Sequence, residues 1–173
     1  MAFRWTVMGR LYKLRTINRY EDVISLCDLL LSKNPTDYLA FYYRGLANEE
    51  VKELDLAIDD LKTSQTLLTT NKWKSWVKEY LTKIPIQISR LYRKKRDKEK
   101  TFEYADKAVQ ADNKETDGLI WRASLKEYYG DYIGASEDLN EALKRKPNDK
   151  KIKQMRDGLT YKIIEDKKER ASR

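Results

Sequence analysis

Apolar residues recur three and four positions apart along much of this chain, the spacing of one face of an α-helix. Val23, Leu26, Cys27 and Leu30 form one such stripe, and Ile152, Met155, Leu159 and Ile163 form another towards the C-terminal end. Between them a longer pattern occurs twice. From Phe41 the chain reads FYYRGLANEEVKELDLAIDDLKTSQ, and from Leu119 it reads LIWRASLKEYYGDYIGASEDLNEALKRKP. Aligned, Phe41 meets Leu119, Arg44 meets Arg122, Gly45 meets Ala123, Ala57 meets Ala135, Leu61 meets Leu139 and Ser64 meets Ala142. Small residues recur where two helices must approach closely, and large apolar ones where the space between must be filled. The pattern predicts nine or ten helices and no sheet.

This doubled pattern resembles the tetratricopeptide repeat (TPR), a pair of antiparallel helices of about 34 residues. The resemblance implies an all-α protein, a superhelical α-solenoid of about four such pairs forming a single domain over residues 1–173. The units fall at about 4–35, 38–71, 82–115 and 116–149, with a helical insertion at 72–81. The fourth is the strongest match, with Gly130, Tyr132, Ala135, Leu139, Ala142 and Pro147 in family positions. The third is degenerate: Thr101, Ala105 and Ala108 match a second helix, which places its first helix at about Ile84 to Lys94. Thr70 and Asn71 suit the N-cap of the insertion, and Pro85 is expected to kink or split the helix that follows. The stripe over residues 149–170 reads as a capping helix, which a solenoid needs to keep its last apolar face from water.

Composition agrees with that outline. Of 173 residues, 40% are hydrophobic and 37% charged, a balance suited to a thin solenoid whose surface is large for its core. Cys27 is the single cysteine, which excludes an intramolecular disulfide, favours a reducing compartment and reads as a small buried hydrophobe. No apolar run approaches the ~18 residues needed to span a bilayer. Residues 1–20 carry Arg4, Arg10, Lys13, Arg15 and Arg19 and no acid, which fits a first helix or a mitochondrial presequence. The stretch RYEDVISLCDLLLSKNPTD also looks like the opening repeats of ciliary-trafficking TPR subunits. A cytoplasmic protein is expected, with mitochondrial or ciliary and cytoskeletal placement as alternatives.

The net charge of +8 is unevenly spread. Residues 1–20 carry +5, 21–68 carry −6, 69–89 carry +3, 90–100 carry +5, 101–143 carry −6 and 144–173 carry +7. The densest basic patch comprises Arg90, Arg93, Lys94, Lys95 and Arg96. It reads as a contact for an acidic surface or phosphate, as a nuclear localisation signal, or as a solvated helix end whose cations complement the helix dipole. Nucleic acid is the weaker partner, because no recognised binding module accompanies the charge.

Catalytic chemistry has few residues to use. The chain has no His, which removes the commonest general base and most zinc sites. No phosphate-cradling glycine motif occurs, and the adjacent acids Glu49–Glu50 and Asp59–Asp60 are expected to be solvated. No enzyme activity, metal or cofactor is expected.

In TPR proteins the first helix of each pair lines a concave groove. The co-chaperone subclass uses it to grip the C-terminal carboxylate of Hsp70 or Hsp90 with Lys, Asn and Arg. The corresponding positions here hold Met8, Tyr12, Tyr43, Asp117 and Trp121. None matches in type, and Asp117 would repel a carboxylate. The resemblance instead places aromatic surface in the groove: Tyr12, Tyr42, Tyr43, Trp121 and Tyr128, with Trp76 or Tyr80 beside them; packing of these rings between helices is the equal alternative. Trp121 is the leading candidate, since Leu119 and Ala123 take the packing positions. The expected function is a non-catalytic scaffold or adaptor, a subunit of a larger assembly, that binds a peptide or helix of another protein. A co-chaperone-like adaptor without the usual clamp, and a nucleic-acid-associated protein using the basic insertion and tail, are the alternatives. Oligomeric state is open.

Overall fold

A computed structural model describes residues 2–70, 78–111 and 115–171. Among these the chain forms nine helices and no strand: α1 (Ala2–Thr16), α2 (Tyr20–Lys33), α3 (Tyr38–Glu50), α4 (Leu54–Thr70), α5 (Lys78–Lys94), α6 (Lys98–Ala111), α7 (Asp117–Tyr128), α8 (Tyr132–Arg145) and α9 (Lys150–Ala171). Each helix packs on the next, and α5 also touches α7 directly. The protein is an all-α solenoid.

The chain marks its own period at the turn inside each pair. Asn18, Lys52, Arg96 and Gly130 adopt left-handed backbone, with φ of 58°, 68°, 61° and 82°. The amide that follows each one donates back five residues: Arg19 to the Leu14 carbonyl, Glu53 to Asn48, Asp97 to Tyr92 and Asp131 to Lys126, at 2.8–3.0 Å. This is the Schellman closure, which satisfies carbonyls left free at a helix end. The four turn residues are 34, 44 and 34 positions apart, so the third unit is longer by ten.

Two differences from expectation lie around those ten residues. Most of the expected insertion, including Asn71 and Trp76, falls outside the described residues; Thr70 closes α4, and residues 78–81 already belong to α5. Pro85 does not split the helix, because α5 runs unbroken from Lys78 to Lys94. Proline removes one donor here, while Ile84, Ile86, Ile88 and Leu91 bury around it and hold the helix by packing.

The same turn register explains the likeness of the second and fourth units and the divergence of the third. The Arg44 guanidinium grips Asp60 with two bonds of 2.9 and 2.7 Å and donates a third to Asp28 at 2.6 Å. Arg122 repeats this on Asp138, at 2.9 and 2.6 Å, and on Asp106 at 2.7 Å. Each arginine therefore ties three successive helices, and its hydrogen bonds to the buried aspartate raise its pKa above the ordinary value. Asp60, expected to be solvated, is thus buried. In the third unit the equivalent positions hold Ile88 and Tyr104, both buried. There Tyr104 stacks on Tyr92 with ring centroids 5.6 Å apart, and Lys62 donates to the Tyr92 hydroxyl at 2.9 Å.

Three apolar clusters run along the solenoid. Leu11, Val23, Cys27 and Ala47 join the first two pairs. The largest cluster spans α3 to α6, and the last joins α7 and α8 to α9 through Ile152 and Leu159. Cys27 has no exposed surface, and burial pushes its thiol pKa up to about 12.

Candidate functional site

The first helices α3, α5 and α7 meet along one side, and their aromatic residues divide into two groups. Tyr42 was expected in the groove but is 8% exposed. Its ring meets Tyr43 and Tyr80 edge-on at centroid distances of 5.5 and 5.0 Å, and Tyr38 contacts Tyr80 at 6.3 Å. Burial pushes the Tyr42 hydroxyl pKa up to about 12. This tyrosine cluster is the α3–α5 joint, and only the half-buried Tyr43 and Tyr80 reach its surface. Tyr12 is exposed on α1, with no ring contact among the described residues. The side chain of Met8 lies outside the described residues.

Trp121 and Tyr128 form the second group, on α7. Leu119 and Ala123 are buried in the α7–α8 core, which turns Trp121 towards α5 and leaves it half-buried. Its indole N–H donates to the Ser89 hydroxyl at 2.8 Å, and Ser89, wholly buried, donates to the Thr101 carbonyl at 2.7 Å. Ser89 occupies the close-approach position held by Gly45 and Ala123 in the neighbouring units. A hydroxyl fits there where a longer side chain would not, and the chain of bonds fixes the indole plane from behind.

The basic patch does not stay together. The Arg90 guanidinium lies over the Trp121 ring at 5.0 Å, and that of Arg93 lies 5.3 Å from Trp121 and 5.7 Å from Tyr128. Lys94 instead pairs with Glu49 at 2.7 Å, and Lys95 pairs with Asp55 on the neighbouring pair. Arg96 is the left-handed turn residue. At 100° per residue, Arg90 and Arg93 share a helix face while the next three residues fan round to the turn. Sequence reading missed this union of two arginines with the aromatics of α7, and it missed Ser89. The signal was present in the three-residue spacing of Arg90 and Arg93.

Among the described residues no group of three or more His, Cys, Asp or Glu could hold a metal ion. Surface depressions lie elsewhere, along α9 beside Gly158 and Tyr161 and between α1 and α2 beside Leu14 and Leu26. No described helix is long and apolar enough to cross a membrane.

No family model matches the chain. Solved structures share its shape at low identity. MamA from Desulfovibrio magneticus RS-1 superposes with a TM-score of 0.65 at 17% identity, over 83% of this chain and 76% of that one. YrrB, described as a TPR protein with an unusual peptide-binding site, does so at 0.62 and 14%, over 92% and 76%. The fold is that of the tetratricopeptide repeat. The first TPR of Spaghetti (RPAP3), solved bound to the HSP90 peptide SRMEEVD, matches at 0.56 and 14%, over 73% of this chain and 93% of its own. Trp121 and Tyr128 stand on α7 and Arg90 and Arg93 on α5, each the first helix of its pair.

Proposed function

We propose that this chain is a non-catalytic protein–protein interaction scaffold, an adaptor or subunit of a larger assembly, that receives a segment of a partner protein on the concave face. One observation carries this reading: a half-exposed indole, pinned through buried Ser89, beside the exposed ring of Tyr128. Rigid aromatic surface of this kind gives contact area at low entropic cost and dominates binding hot spots. Peptide binding by YrrB and by the RPAP3 domain supports the reading, because the same fold presents a peptide site in both. The RPAP3 complex also gives a chaperone adaptor some support. A chaperone tail would need contacts other than the usual clamp, whose described positions hold Tyr12, Tyr43, Asp117 and Trp121.

The test is affinity capture from native extract with the full chain, Trp121→Ala and, as a second-layer control, Leu56→Ala at matched helicity. Partners retained by the control and lost from Trp121→Ala support the concave site; the loss expected is about thirtyfold in affinity, from ~2 kcal/mol for a hot-spot tryptophan. An identical partner set for all three proteins removes the site from this function.

A further inference from the structure

Arg90 and Arg93 differ from the other arginines in the described core of this protein. Arg44 and Arg122 are saturated by aspartates, and the neighbouring Lys94 and Lys95 are paired with Glu49 and Asp55. For Arg90 and Arg93 the described residues supply aromatic faces and no carboxylate. We propose that Arg90, Arg93, Trp121 and Tyr128 form one composite site that takes an acidic side chain, next to an apolar one, from a segment of a partner protein. This rests on the concave-face reading above and names the chemistry that the face selects.

A guanidinium held over a ring face spends none of its N–H donors on the ring's edge, and a carboxylate accepts from those donors in a fork. Both arginines lie over a ring that is itself held by Ser89 and Thr101. The turn register adds a second argument. Arg93 stands where the second and fourth units carry Glu49 and Glu127, and both glutamates are occupied, by Lys94 and Lys162. The third unit alone of these three turns a cation to that edge. The apolar half of the site is Tyr128, 69% exposed, with the free portion of Trp121.

The surroundings favour one acidic side chain over a polyphosphate backbone. The next cations along the chain, Lys94 and Lys95, are already paired with Glu49 and Asp55. Asp117 is exposed one helical turn before Trp121, and Glu79 is exposed in the first turn of α5. Two cations beside neutralised lysines suit a local carboxylate, whereas nucleic acid requires a continuous basic track.

The experiment is selection of random displayed dodecapeptides on the immobilised full-length protein, followed by fluorescence polarisation with the enriched peptides. Selected peptides should carry Asp or Glu beside an apolar or aromatic residue, and Trp121→Ala should weaken their binding about thirtyfold. Changing the peptide acid to its amide, or making Arg90→Gln with Arg93→Gln, should each weaken binding about tenfold to hundredfold. Combining the two should add little, which marks one shared interaction. Peptides that depend on Trp121 but show no acid preference, or that ignore the arginine changes, overturn this inference and leave the concave-face reading standing. Peptides indifferent to Trp121→Ala, or no enriched peptide at all, overturn both. A twelve-nucleotide single strand that binds through the same two arginines, where acidic peptides do not, also overturns the inference.

Discussion

Replacing Arg44 or Arg122 by methionine keeps the length of the stem and removes the guanidinium, yet the two changes should differ in cost. Asp60 and Asp138 are equally enclosed, their side chains 9% and 5% exposed. Losing one partner of a buried ion pair costs about 3–5 kcal/mol, because the other charge stays buried and unpaired. Each arginine side chain is about a quarter exposed, so water screens part of this and ~2–3 kcal/mol is the better expectation at Arg44. There Asp60 keeps only the Asn48 amide, at 3.0 Å. At Arg122, Asp138 keeps the Lys126 ammonium, also at 3.0 Å. A residual ion pair should hold the second loss to ~1 kcal/mol.

The third unit supplies the control. With Ile88 and Tyr104 at the equivalent places, it packs without a buried charge. Arg44→Met with Asp60→Leu should therefore recover stability relative to Arg44→Met alone, with ~1 kcal/mol still lost because Asn48 is left without its acceptor. Urea unfolding followed by circular dichroism measures all four proteins. The slope must be compared as well as the midpoint, since a solenoid can lose cooperativity between units. Equal losses in the two single variants, or a double variant less stable than Arg44→Met, would refute the assignment of these costs to stranded aspartates.

Three further outcomes follow from the backbone and the buried thiol. Lys52→Gly should raise stability by about 0.5–1 kcal/mol and Gly130→Ala should lower it by ~1 kcal/mol, since both sites hold left-handed backbone that glycine alone adopts freely; thermal melts of both variants check the pair. Gly118→Ala places a methyl 2.7 Å from the Ala108 carbonyl carbon and 2.8 Å from the Val109 nitrogen, backbone atoms of α6, so at least ~2 kcal/mol should be lost, whereas Gly158→Ala meets nothing and should gain about 0.5–1 kcal/mol in chemical denaturation. The Cys27 thiol titrates near 9.0 when unfolded and at about 12 when folded. Above pH 9 the unfolded chain therefore releases this proton while the folded chain keeps it, and the Cys27 contribution to stability falls across pH 9–12. Cys27→Ala should flatten that part of the stability profile, and a thiol reagent at pH 8 should label wild type only as fast as it unfolds.

What could be read from the sequence, and what could not, both follow from the 100° between neighbouring helical residues. Stripes such as Leu119 and Ala123 were legible because burial repeats at that angle, and so were the helices and their stacking. The third unit was hard to read because Ile88 and Tyr104 replace the arginine and aspartate that make the other two alike. The turn register was hidden because Asn18, Lys52, Arg96 and Gly130 share a backbone conformation and no side-chain chemistry. Groupings by adjacency misled in two places. Asp59 and Asp60 are neighbours, yet one is exposed and the other is held by Arg44 under the surface. The basic residues from Arg90 to Arg96 divide in the same way, two stacking on the rings of α7 and two neutralised on the neighbouring pair. The proposed site thus takes its cations from one sequence feature and its aromatics from another about 30 residues away. The direct packing of α5 on α7 joins them.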